Sequence, residues 1–111
     1  MSPGAGIRSS DGPPAPSSDV IARRYIVHGR VQGVGFRYFV AGEAHKLGIA
    51  GWVRNNINGT VEALAAGSSE NLSRFHESLR RGPRAARVDR VEVFSAPAEG
   101  LKGTFRIEGS W

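Results

Sequence analysis

The sequence predicts an α+β fold in which two helices cover one face of a mostly antiparallel sheet of four to five strands. Three observations predict it. Apolar residues alternate with period two, then recur at helical spacing, in the order strand, helix, strand, strand, helix, strand. The two middle strands are joined by a short segment carrying Asn58-Gly59, the dipeptide that supplies the positive φ of a tight hairpin. Each helical stretch ends at a glycine, Gly48 or Gly82. This order matches a split βαβ arrangement, a βαββαβ sandwich.

The first strand starts at Ala22 and ends at Gly29, with Tyr25 and Val27 alternating with Arg24, Ile26 and His28. Phe36, Phe39, Val40, Ala44 and Leu47 then recur at helical spacing, and Gly48 stands where a left-handed C-terminal cap belongs, so a three-turn helix is expected. Ile49–Arg54 and Thr60–Ala65 read as two strands around a turn of residues 55–59. Ser68 or Ser69 can cap a second helix with the apolar stripe Leu72, Phe75 and Leu79, stopped by Gly82-Pro83. Arg87–Phe94 gives a fourth strand with Val91 and Val93 on one face. Thr104–Glu108, in which Phe105 and Ile107 alternate, gives a last edge strand. A right-handed crossover makes the second strand parallel to the first, with the third between them. Asn55 is thereby expected beside the loop that follows the first strand.

With 111 residues and no internal repeat, the chain has room for one domain that buries roughly 60 to 65% of its unfolded surface. Residues 1–20 hold four of the six prolines and five serines, with few large apolar groups, and read as a flexible tail. The domain itself is expected over residues 21–111. No stretch approaches the ~18 apolar residues of a membrane helix and no signal peptide is visible, so a soluble cytoplasmic protein without membrane partners is expected. The absence of cysteine excludes disulfides, thiolate catalysis and zinc-thiolate sites. The net charge of +5, carried largely by arginine, favours anionic partners without choosing among them. Part of the excess, Arg80, Arg81, Arg84, Arg87 and Arg90, follows the second helix and reads as a solvated surface complementing the helix dipole.

The chemistry concentrates between the first strand and the first helix, where residues 29–37 read Gly-Arg-Val-Gln-Gly-Val-Gly-Phe-Arg. N–H groups in such a turn, and those at the start of the helix, point at whatever occupies the loop. Gly29, Gly33 and Gly35 allow positive φ and close approach of backbone to a ligand. A plain strand-to-helix turn explains the three glycines equally well, and Arg37 tips the balance. A cation in the first helical turn opposes the macrodipole unless an anion is bound beside it, and a guanidinium suits two phosphate oxygens.

An arginine, a ring of amides and the Asn55 carboxamide converge on this spot, and none of them is a nucleophile or a strong general acid. A phosphomonoester would need its alkoxide leaving group protonated or metal-bound. An acyl phosphate expels a carboxylate whose conjugate acid has a pKa of about 4 and needs little such help. Stabilising the three equatorial oxygens and holding a water in line are then sufficient. Arg37 and the amides suit the first task, and Asn55, which both donates and accepts, suits the second. A turn residue is the plainer reading of Asn55, but Asn58 already precedes the turn glycine.

GRVQGVGFR at 29–37, followed after a short helix by GWVRNNINGTVE at 51–62, resembles the acylphosphatase family, and the resemblance covers roughly residues 23–108. It implies a small ferredoxin-like enzyme, an acid anhydride hydrolase that splits the carboxyl-phosphate bond to a carboxylate and inorganic phosphate with no metal or cofactor. It implies further that Arg37 binds the substrate phosphate, that Asn55 orients the water, and that the amides of Arg30, Val31, Gln32, Gly33 and Val34 form the cradle. A small-molecule acyl phosphate is the expected partner and a monomer the expected state. Two positions depart from the family pattern: Gly35 stands where several relatives carry cysteine, and Asn56 where a hydroxyl residue is frequent.

Nucleic-acid binding is the chief rival, because the fold class includes RNA-recognition modules and GVGFRYF superficially resembles their aromatic motif. In those modules the exposed rings lie on the third strand, whereas Phe36 and Phe39 open a helix facing the core and Thr60–Ala65 has no aromatic residue. No nucleic-acid partner is expected. A weaker rival is an anion-binding accessory module that binds a carbamoyl phosphate-like ligand without turnover. His28 reads as an exposed strand position, and His45 and His76 as surface residues without metal-ligand spacing.

Overall fold

The alternation and caps produce the expected elements with shifted ends: β1 (Ile21–Arg30), α1 (Phe36–Lys46), β2 (Ala50–Asn55), β3 (Val61–Gly67), α2 (Ser69–Arg81), β4 (Arg87–Ala96) and β5 (Phe105–Ile107). The computed structural model describes residues 20–101 and 103–109, so the tail expected over 1–20 lies, apart from Val20, outside the described residues. Ser68 caps α2, its Oγ accepting from the Asn71 amide at 3.1 Å, and Glu70 lies in the first turn, favourably placed against the dipole. Gly48 takes the left-handed conformation (φ 66°) after α1 and its N–H donates to the His45 carbonyl.

The sheet runs β4-β1-β3-β2-β5, antiparallel at every junction except β2 with β5. β1 and β2 flank β3 and point the same way, which brings their C-terminal ends to one end of the sheet. Inward residues of the strands, among them Tyr25, Val27, Val53 and Ala63, meet Phe36, Val40 and Ala44 of α1 and Leu72, Phe75 and Leu79 of α2 in one core. Tyr25 stands edge-on to Phe75 at 5.3 Å between centroids. Each such large side chain contributes roughly 1.5–3 kcal/mol by leaving water.

Two expectations change. Gly29 does not serve the loop. It sits at an irregularity in the β1–β4 ladder with φ 135°, and a Cβ there would lie 2.1 Å from the Arg87 carbonyl oxygen, so the close approach that requires glycine is to a neighbouring strand. Asn55 is the last residue of β2, in register with Val61, rather than the first residue of the turn. Strand pairing therefore fixes its backbone. The turn itself forms as expected, with Gly59 at φ 93° and its N–H on the Asn56 carbonyl.

On the other face of the sheet Phe94, Arg24, Leu64 and Trp52 lie in one cross-strand row, and Glu92, Ile26, Glu62 and Arg54 in the next. The Arg24 guanidinium covers the Phe94 ring and that of Arg54 covers Trp52. Between the two arginines the buried Glu62 carboxylate accepts hydrogen bonds from Arg24 Nη1 (3.3 Å), Arg54 Nη2 (3.1 Å) and Asn56 Nδ2 (3.2 Å). Burial alone would raise the Glu62 pKa, but the donors from Asn56, Arg54 and Arg24 outweigh it and hold the group below the usual carboxylate value. A depressed folded pKa stabilises the fold above the unfolded value of 4.5, and that contribution fades as pH falls through the folded one. Glu62→Gln should therefore cost about 1–2 kcal/mol at neutral pH, a value reduced for the partial exposure of both arginines. Urea unfolding at pH 7 and pH 3 tests this: the gap between wild type and variant should shrink at the lower pH, and an equal gap at both would contradict the linkage.

Candidate active site

β1 leads into α1 through residues 31–35, and the loop encloses a cavity of about 80 Å³ at the end of the sheet. That is several times the ~10–15 Å³ that admits one water. Val31, Gly33, Gly35 and Phe36 line it together with Arg37, Tyr38 and Asn55. Gly33 and Gly35 both have φ 76°, with nothing within 4 Å of the position a Cβ would take. Their constraint is conformational, a left-handed backbone that other residues adopt only with strain.

Gly35 is the N-cap of α1 and supplies no side-chain oxygen, and the first turn holds no acidic residue. The first N–H groups of α1 thus lack the compensation that Ser68 and Glu70 give α2, and the first turn carries Arg37 instead. Arg37 is half-buried, and its Nη1 donates to the Glu108 carbonyl at 2.9 Å, just past β5. One arm of the fork is thereby anchored while the side chain lines the cavity.

Of the residues expected in the cradle, Val31 and Gly33 line the cavity, as do Arg37 and Asn55. Arg30, Gln32 and Val34 are not among its lining. Arg30 is the last residue of β1, opposite Arg87, and Val34 packs against the core. Gln32 contributes in a way its sequence position does not announce: its Nε2 donates to the carbonyls of Asn56 (2.7 Å) and Thr60 (2.9 Å). One carboxamide thus ties the loop after β1 to the hairpin that follows Asn55. Asn56 faces the other way, donating from Nδ2 to Thr60 Oγ1 and to Glu62, so the turn is braced on both sides.

The histidines lie elsewhere. His28, expected to be exposed, is half-buried and donates from Nε2 to Glu92 at 2.6 Å, because β4 lies directly beside it. His45 is exposed and donates to the Phe105 carbonyl. His76 is only half-exposed: it leans on the Tyr25 ring, and burial, aided by Arg80, lowers its pKa. Among the described residues no three side chains of histidine, cysteine or acidic type gather as they would around a metal ion. No helix among them is long and apolar enough to cross a membrane.

The fold and the cavity define a class: a small ferredoxin-like α+β protein with a small cavity at the end of its sheet, lined by a glycine loop, Arg37 and Asn55. Residues 23–107 match the family model described as Acylphosphatase. A relative from Koribacter versatilis named acylphosphatase is 56% identical, the match covering 80% of this chain and 81% of the relative. Among solved structures, an acylphosphatase from Coxiella burnetii superposes with a TM-score of 0.79 at 32% identity, covering 84% of this chain and 97% of that one. The crystal structure of acylphosphatase from Bacillus subtilis gives 0.76 at 44% identity, covering 79% and 98%. The chain belongs to the acylphosphatase family and is a hydrolase of that class.

Gln32→Leu keeps the bulk of the side chain and removes both hydrogen bonds. Each freed carbonyl retains a backbone donor, Gly59 N–H for Asn56 and Asn56 N–H for Thr60, so the expected loss is modest, about 1 kcal/mol in urea unfolding. An unchanged midpoint would show that the brace carries no load.

Proposed function

We propose that the chain hydrolyses small acyl phosphates to a carboxylate and inorganic phosphate. The observation that carries this reading is the uncapped start of α1, which faces one small cavity shared by Arg37 and Asn55. A bound phosphoryl group would supply the negative charge that this helix start lacks and that Arg37 in the first turn calls for.

In this mechanism the phosphoryl oxygens accept hydrogen bonds from loop amides, those of Val31 and Gly33 at the cavity among them, and from the guanidinium arm of Arg37 not engaged with Glu108. Asn55 holds a water through its carboxamide, donating to or accepting from it without acquiring charge beside the phosphate. The water oxygen bonds to phosphorus as the bond to the acyl oxygen breaks, and the electron pair leaves on the carboxylate. One water proton stays on the phosphate and the other passes to solvent. Because the departing carboxylate is a weak base, the step needs no general acid, and none of the three histidines lines the cavity. Catalysis is then positioning and charge stabilisation by preorganised donors.

Benzoyl phosphate should be hydrolysed in excess chelator, with inorganic phosphate as a competitive inhibitor. Arg37→Ala should lower kcat/KM on the order of 10² to 10³-fold and weaken phosphate inhibition, whereas Asn55→Ala should lower kcat while leaving phosphate inhibition near the wild-type value. A requirement for divalent metal, or equal phosphate inhibition of Arg37→Ala and wild type, would contradict the mechanism. Phosphate binding without turnover by the wild type would make the chain a binding module.

A further inference from the structure

We infer that Tyr38 forms the acyl side of this site and gives the enzyme a preference for flat, aromatic acyl groups over small aliphatic ones. The inference rests on the proposed hydrolysis and adds a substrate class to it.

Tyr38 is 71% exposed, and among the described residues it is the one large exposed apolar side chain that lines the cavity. A scattered exposed aromatic needs no explanation. This one stands in the first turn of α1, one residue after Arg37, and a helical Cα–Cβ bond tilts toward the helix N-terminus. The ring is therefore directed over the residues that precede it, which are the loop. The loop offers little else to touch: Gly33 and Gly35 have no side chains, and the positions their Cβ atoms would take face open space. Val31 and Phe36, which also line the cavity, are buried in the core. Among the described residues the Tyr38 hydroxyl has no hydrogen-bond partner, so the ring is free to adjust to what lies against it.

A phosphoryl group seated on main-chain donors directs its acyl substituent away from Val31 and Phe36, which are buried in the core, and out past the exposed Tyr38. There the acyl group meets the phenol ring. A planar benzoyl group gains an offset or edge contact with it, while an acetyl group presents one methyl and gains little. The phosphate cradle supplies affinity common to all acyl phosphates, and the ring supplies the difference between them.

The test compares kcat/KM for benzoyl phosphate and acetyl phosphate in the wild type, Tyr38→Ala and Tyr38→Phe, with inorganic phosphate inhibition measured on each. The ratio of benzoyl to acetyl should fall about 3- to 10-fold in Tyr38→Ala, mainly through KM for benzoyl phosphate, and stay near the wild-type ratio in Tyr38→Phe. Phosphate inhibition should be similar in all three. A ratio unchanged by Tyr38→Ala, with both substrates still turned over, overturns the acyl-side assignment and leaves the hydrolysis intact. Failure of the wild type to turn over either substrate overturns the hydrolysis and this inference together.

Discussion

A helix that begins without a cap is the constraint on which the site depends. α2 starts with Ser68 accepting an amide and Glu70 in its first turn, the usual way a chain compensates its exposed N–H groups. α1 starts at a left-handed glycine with no side-chain acceptor and places a guanidinium where an acid would be stabilising. Both choices cost stability in the empty protein, about a few tenths of a kcal/mol for glycine in place of a side-chain cap. Both become favourable when an anion enters. A fold of this size retains such a cost only because the core beneath, with Phe36 and Val40 on the same helix, holds α1 in place.

Sheet topology supplies the second half of the site. β1 and β2 are separated in sequence by α1 and in space by β3, so parallel alignment is the only way their ends reach the same place. Gln32 then converts proximity into fixed geometry by joining the loop to the hairpin carbonyls. Glu62 does similar work from the opposite face, gathering Arg24, Arg54 and Asn56 around one buried carboxylate and so stiffening the strand ends around Asn55.

Much of this was legible in the sequence, because period, caps and turn chemistry are local properties. The order of elements, the Asn58-Gly59 turn, the Gly48 cap and the meeting of Arg37 with Asn55 at one cavity all follow from patterns within a dozen residues plus the handedness of one crossover. What was not legible depends on neighbours distant in the chain. Gly29 reads as a loop glycine until β4 brings the Arg87 carbonyl against it. Asn55 reads as a turn residue until the register pairs it with Val61. The acceptor for Arg37 is a backbone carbonyl, at Glu108, and a backbone acceptor leaves no mark on residue identity. Gln32 had a visible signal, an amide side chain in an otherwise glycine and valine loop, but its partners lie 24 and 28 residues away. Tyr38 bears no distinguishing pattern in the sequence, and only its place in the first turn of α1, beside a glycine loop, brings it to the cavity.

The central claim is that main-chain donors of the loop and the start of α1, with Arg37, bind a tetrahedral anion. The direct measurement is an amide-resolved NMR titration of the intact chain with inorganic phosphate. Saturable shifts concentrated on the amides of residues 31–37, together with the Asn55 side-chain amide, are the predicted result. Shifts concentrated instead on the arginines after α2 or on the open face of the sheet, with the loop amides unmoved, would contradict it.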